Sequence, residues 1–239
     1  AYGLFVLPEP ESVDNVKGLK GDNMNFMQAA AGNYRKGRTS NIKYIVIHYT
    51  ANNGDTAFGN AKYFHGTGNL QASAHYFVDE NEVWQSVKDG DTAFHCGAKH
   101  YRHSECRNNN AIGIELCSRK SGGGKYYFKA ETEDRAAELT KCLMAKYGID
   151  TNHVLRHYDV TGKNCPAPFV EDITKWQNFK NKLKGGGVEV EKKIKIKLNG
   201  VVKEVKAIEK DGYNYIKLQD LRDSRIVIDY DGVPVVRVK

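Results

Sequence analysis

Three residues of this 239-residue chain have the types and the setting of a metal site. His48 closes a β-branched apolar run, where a rigid strand can aim an imidazole. His157 and Cys165 lie eight residues apart, across a segment punctuated by Gly162, Pro166 and Pro168. Zinc accepts imidazole nitrogen and thiolate sulfur together, and a catalytic zinc keeps three protein ligands with the fourth position left to water. Taken singly, each residue has a plainer reading: an isolated histidine is usually a satisfied polar group, and an isolated cysteine is usually core. The five cysteines, Cys96, Cys106, Cys117, Cys142 and Cys165, form no CxxC pair and lack the density of a disulfide scaffold. Apart from Cys165 they read as small buried hydrophobes or idle thiols.

The elements that would position these residues follow from hydrophobic periodicity. Tyr44 to Ile47 is a continuous apolar run, the pattern of a strand buried on both faces. Ala57, Ala61, Tyr63 and Phe64 have helical spacing behind a cap at Asp55 or Thr56. Ala74 to Val78 and Val83 to Val87, joined at Asp79 to Asn81, read as a hairpin. Residues 88–110 are rich in His, Asn, Arg and Gly and read as loop, and 111–118 (AIGIELCS) as another short buried strand. The clearest helix spans 131–149, with acidic residues first, Ala137, Leu139, Leu143 and Met144 at helical spacing, and a stop at Gly148. HVLRHYDV reads as a strand leading into a loop, and 173–183 as a last helix before the Gly run of a linker at 184–188. Beyond it, KIKIKL and VVKEV alternate around Asn199–Gly200, a hairpin signal, and Asp211–Gly212 and Asp231–Gly232 punctuate two further hairpins. Residues 189–239 thus read as a small β-rich domain. Residues 1–23 have few core-forming features and read as a leader of uncertain origin, with Met24 a candidate start.

The segments IVIHYT (45–50), SAHYF (73–77), AFHCG (93–97), IGIEL (112–116) and RHYDVTGKNCPAP (156–168) occur in this order. Together they resemble the type-2 family of N-acetylmuramoyl-L-alanine amidases, related to peptidoglycan recognition proteins and common among phage and prophage endolysins. The resemblance implies an α/β fold with a mixed central β-sheet flanked by helices, here followed by the small C-terminal β-rich domain. It implies Zn2+ held by His48, His157 and Cys165, within a catalytic domain at 24–183. It also gives catalytic roles to Glu115 and Lys163, and physical chemistry agrees with their types. A carboxylate can carry a proton from water to a leaving nitrogen, and an ammonium can stabilise an oxyanion. His95 corresponds to a histidine on the substrate side, and the resemblance puts a further substrate contact at His75 or Tyr76. The expected reaction is hydrolysis of the amide bond between N-acetylmuramic acid and L-alanine.

Composition narrows the partners. Forty per cent hydrophobic and 27% charged residues describe an ordinary globular chain. No apolar run approaches the ~20 residues of a membrane span, so no stable membrane insertion is expected. The net charge of +7 suits either solvated lysine faces or a polyanion such as a cell-wall polymer. Neither an aromatic-interleaved RNA-binding motif nor zinc-finger spacing is present, which argues against nucleic acid. The absence of HExxH argues against a helix-borne zinc peptidase. Without a visible export signal, the expectation is synthesis in the cytoplasm and action on the wall after release. Competing readings are a non-catalytic peptidoglycan-binding protein and a host autolysin or sporulation amidase. The C-terminal domain, with its LNG and YIKLQDLRD segments, resembles a repeat first seen at the N-terminus of copper amine oxidases. It is expected to bind the cell wall or to form a homodimer.

Overall fold

The computed structural model describes residues 25–184, 190–198, 201–210, 213–216, 226–230 and 234–238. In chain order the elements up to the middle of the chain are β1 (Asn25–Phe26), β2 (Tyr34–Arg35), β3 (Tyr44–Tyr49), α1 (Ala57–Gly66), β4 (Tyr76–Val78), β5 (Val83–Gln85), β6 (Thr92–Ala93) and β7 (Ala111–Leu116). They are followed by β8 (Arg119–Lys120), β9 (Tyr126–Tyr127), α2 (Ala130–Tyr147), β10 (Val154–Arg156), α3 (His157–Thr161), α4 (Ala167–Val170) and α5 (Ile173–Lys184). The central sheet has six strands in the order β1-β5-β4-β7-β3-β10. Only the β4–β5 hairpin is antiparallel; the other four pairings are parallel, so the sheet is mixed.

Helices cover both faces, and the period of two along each strand sorts the side chains between them. On one face Ile45 and Ile47 of β3, Tyr76 and Val78 of β4, and Ile112, Ile114 and Leu116 of β7 pack against Leu139 and Leu143 of α2 and Trp176, Phe179 and Leu183 of α5. On the other face Tyr44 and Val46 meet Val160 of α3, and Phe77 meets Ala57 and Ala61 of α1. Both central strands are therefore apolar at nearly every position, as parallel strands between two layers must be.

Local chemistry sets the helix ends. Thr56 caps α1 by accepting a hydrogen bond from the Gly59 amide at 3.0 Å. Helix α2 has Glu131 and Glu133 in its first turn and ends at Gly148, whose φ of 63° is the left-handed conformation that glycine adopts without strain. The strand expected through HVLRHYDV stops at Arg156, and the residues after it are helical. HYDVT closes into α3 because the Asp159 carboxylate accepts from the Arg156 amide at 2.8 Å and the Arg156 guanidinium at 2.7 Å. Gly162, at φ 86°, ends it. Residues 25–38, to which the sequence assigns no element, add β1 to the sheet edge and pair β2 with β6.

At the base of the β4–β5 hairpin lies a buried carboxylate, Asp89, only 3% exposed. It accepts hydrogen bonds from the Tyr76 and Tyr147 hydroxyls, both at 2.5 Å, and from Gln85 Nε2 at 3.1 Å. An ion pair with Lys146 at 2.9 Å completes the set. The cluster ties α2 to the sheet through a carboxylate that is itself buried.

The remaining strands are β11 (Val190–Leu198), β12 (Val201–Lys210), β13 (Tyr213–Ile216), β14 (Ile226–Tyr230) and β15 (Pro234–Val238). β11, β12 and β13 form an antiparallel sheet, and β14 pairs with β15. On β12, Val205 and Ala207 are buried while Val202, Glu204 and Lys206 are exposed, so the strand has one covered and one open face. Leu198 pairs with Val201. The turns expected at Asn199–Gly200, Asp211–Gly212 and Asp231–Gly232, the leader 1–23 and the Gly run 185–187 lie outside the described residues. Among the described residues, no helix is long and apolar enough to cross a membrane.

Replacing Asp89 by Ala takes the acceptor from the buried Tyr76 hydroxyl and from the Tyr147 hydroxyl at once, and breaks the ion pair with Lys146. We expect Asp89→Ala to lower stability by about 3 kcal/mol or more, read as a shift of the denaturant midpoint. A midpoint within error of the parent would remove the cluster from the account of the fold.

Candidate metal centre

Alternation along β3 puts His48 on the same face as Tyr44 and Val46, away from α2 and α5. The parallel register pairs His48 with Glu115 of β7, which lies on that face for the same reason. Their side chains approach to 3.9 Å, His48 Nδ1 to Glu115 Oε1. β10 runs beside β3 with Arg156 opposite Ile47, so His157, the next residue, emerges next to His48. Their ring centroids are 4.6 Å apart. The chain then turns through α3 and Gly162 and comes back. The Tyr158 amide donates to the Cys165 carbonyl at 2.8 Å, holding Cys165 against the start of α3. Cys165 Sγ lies 3.7 Å from His48 Nδ1.

Ligand atoms of His48, His157 and Cys165 all fall within 4.8 Å of one another, and all three residues are buried. Three buried polar atoms in this cluster have no hydrogen-bond partner: His157 Nδ1, His95 Nε2 and Glu115 Oε2. Native proteins rarely leave buried polar atoms unpaired. Two imidazoles and a thiolate form a donor set suited to zinc, so these residues fit that ion.

The electrostatics point the same way. Burial, then the neighbouring His157 and His95 rings and the Lys163 ammonium, holds His48 well below the ordinary histidine range. Burial and Lys163 bring His157 down to about 3. Both rings are therefore neutral near pH 7 and carry a lone pair for a cation. Burial pushes Cys165 up to about 12, with the nearby Glu115 adding to the effect. A bound cation reverses that sign, because a coordinated thiol is deprotonated. Burial raises Glu115 to about 8, against the pull of Lys163.

An open groove of about 810 Å³ runs past the cluster, lined by Phe94, His95, Asn108, His157 and Lys163 among others. Of the five residues expected to hold the metal or act on substrate, four surround one point and Lys163 faces them from the groove wall. The three expected substrate contacts separate. His95 lines the groove and its Nδ1 is 3.0 Å from His48 Nε2. Tyr76 does not fit the expectation: it points to the opposite face of the sheet, fully buried under α2, with its hydroxyl on Asp89. His75 does not fit either. It is fully buried between Arg38 Nη2, 2.6 Å from its Nε2, and the Gly113 amide, which donates to its Nδ1 at 3.0 Å. A side chain with no exposed surface touches no polymer.

Other residues that shape the site had no obvious sequence signal. Asn108 Oδ1 accepts from the amides of His95 and Cys96, at 3.1 and 2.8 Å, and so holds the AFHCG loop. Gly113 did carry a signal, since a glycine inside an apolar strand often marks a close approach. Here the His95 ring occupies the place of its missing side chain. The other cysteines are free: Cys96, Cys106 and Cys117 are buried and Cys142 is half-buried.

Comparison with known proteins gives the family. The chain is 37% identical over 154 residues to the N-acetylmuramoyl-L-alanine amidase CwlL of Bacillus licheniformis, covering 61% of this chain and 42% of that protein. The chain thus spans less than half the length of this curated relative. Among solved structures, PlyL superposes with a TM-score of 0.57 at 28% identity, covering 69% of this chain and 99% of that one. A mutant endolysin from Bacillus subtilis superposes with a TM-score of 0.54 at 30% identity, covering 67% and 99%. Residues 38–168, more than half of the chain, match the family profile of N-acetylmuramoyl-L-alanine amidases, and the chain belongs to that family.

Proposed function

We propose that this chain is a zinc-dependent hydrolase that cleaves the amide bond between N-acetylmuramic acid and L-alanine in bacterial peptidoglycan. The grouping of His48, His157, Cys165 and Glu115 beside an open groove that Lys163 lines carries this reading. His48 through Nδ1, a ring nitrogen of His157 and Cys165 Sγ would hold the ion. Bound zinc supplies Lewis acidity, acidifying water and polarising a carbonyl.

The protein's own groups do the rest. Glu115, a carboxyl that burial raises to about 8, has the chemical type of a general acid–base group. In its ionised form it would take a proton from the attacking water, and the resulting carboxylic acid would deliver that proton to the alanine nitrogen as the bond breaks. The Lys163 ammonium, on the groove wall, faces the negative charge that grows on the carbonyl oxygen. A protein that only bound peptidoglycan would need the groove but not this combination of proton carrier, ammonium and metal ligands.

We assign catalysis to residues 24–183 and propose that 189–239 form a separate module for wall binding or dimerisation. Lys193, Lys195 and Lys206 are exposed on its first two strands, which suits an anionic cell-wall polymer. An endolysin role, acting on the wall at lysis, agrees with the solved relatives, while a host autolysin would use the same chemistry.

Two substitutions separate the roles. Glu115→Gln should keep stoichiometric zinc and lose turnover of purified peptidoglycan by about 100-fold or more. Cys165→Ser should lose zinc as measured by atomic absorption. Unchanged turnover in the first, or full zinc in the second, would remove that residue from its role. The bond itself is identified by mass spectrometry of digested walls, where we expect intact stem peptides with new L-alanine amino termini. Shortened glycan chains with no free alanine termini would refute an amidase.

A further inference from the structure

We infer that His95 is a positioning residue that fixes which nitrogen of His48 faces the cation, and that Gly113 provides its seat. The inference rests on the zinc reading above. His48 Nδ1 faces the donor cluster, 3.7 Å from Cys165 Sγ and 3.9 Å from Glu115 Oε1. Its Nε2 faces away, 3.0 Å from His95 Nδ1. A neutral imidazole has one N–H and one lone pair. With the lone pair of Nδ1 turned to the cation, the proton of His48 sits on Nε2 and is donated to His95 Nδ1. The proton of His95 is then on its own Nε2, a buried atom with no partner, on a residue that lines the groove. The reverse arrangement would aim a proton of His48 at the donor cluster.

Metal-bound histidines usually give their second N–H to a carboxylate, a carbonyl or water. Here a second imidazole receives it, and an imidazole accepts along one narrow direction only. The His95 ring must therefore be held, and three contacts hold it. A Cβ on Gly113 would lie 2.5 Å from His95 Cγ, so the ring rests directly on the strand backbone. The backbone of the ring's own loop hangs on Asn108 Oδ1 through the His95 and Cys96 amides. The edge-on His75 ring, 5.6 Å between centroids, is itself locked by Arg38 and the Gly113 amide. His75 thus acts at one remove from the site, through His95, instead of touching substrate.

The test uses the full chain and reads zinc affinity by competition with a chromophoric chelator, independent of activity. His95→Phe fills the same space without an acceptor and should weaken zinc by about 10–100-fold. In His95→Gln the side-chain oxygen can accept from His48 Nε2–H, and most of the affinity should return. Gly113→Ala keeps His95 but displaces its ring, and should weaken zinc as well. A proton resonance on His48 Nε2, slowed in exchange by the hydrogen bond, should be seen in the zinc-loaded parent and lost in His95→Phe. Parental affinity in His95→Phe, or equal loss in the Phe and Gln variants, overturns the hydrogen-bond role. Parental affinity in Gly113→Ala overturns the seat. A parent chain that takes up no zinc would instead overturn the zinc reading itself, which keeps the two failures apart.

Discussion

The site depends on the register between two buried parallel strands. His48 and Glu115 are opposite one another because β3 and β7 pair residue for residue from Tyr44–Ala111 to Tyr49–Leu116. Both strands are apolar on both faces, so burial alone would tolerate several alignments. A slip by one residue would turn either side chain to the wrong face and place it under α2. Two features resist that slip: Gly113 is the one position in β7 that accepts the His95 ring, and the Asp89 cluster fixes the hairpin that carries β4 alongside β7. Packing and polar anchoring thus define a geometry that hydrophobicity leaves open.

The same burial that builds the sheet tunes the chemistry. Taking His48 and His157 out of water keeps their rings neutral, and taking Glu115 out of water lets its carboxyl hold a proton near neutral pH. Buried groups without partners are costly, so the cluster reduces stability where it serves function. The saturated hydrogen-bonding around Asp89, on the other face, sits in the opposite regime. There every polar atom has a partner, and the effect is to hold α2 in place.

Much of this was legible in the residues. The apolar run at 44–47, the helix at 131–149 with its terminal glycine, and the C-terminal alternation each appear where periodicity put them, because their patterns are strong and local. His48, His157 and Cys165 were legible as candidate ligands by type, and the structure brings the three together. What was not legible is what depends on facing. SAHYF does not reveal which of His75 and Tyr76 looks toward the site, and in the structure neither reaches the groove. Strand alternation settles Tyr76, and a guanidinium from a segment with no pattern of its own settles His75. The short helix at His157–Thr161 was missed because its signal is one carboxylate and one glycine, too few residues to show a period.

That patternless segment has one more consequence. Residues 25–26 run along β5, and Arg38 reaches inward to the Asp89 carbonyl, the Asn108 carbonyl and His75. The family profile starts only at residue 38, so a chain trimmed to that span would discard the outermost strand. β5 would then present a bare row of amides and carbonyls to solvent, the template on which sheets from separate molecules join. The stretch ahead of the matched span thus works as a selvedge along β5, with Asn25 and Phe26 paired to Trp84 and Gln85.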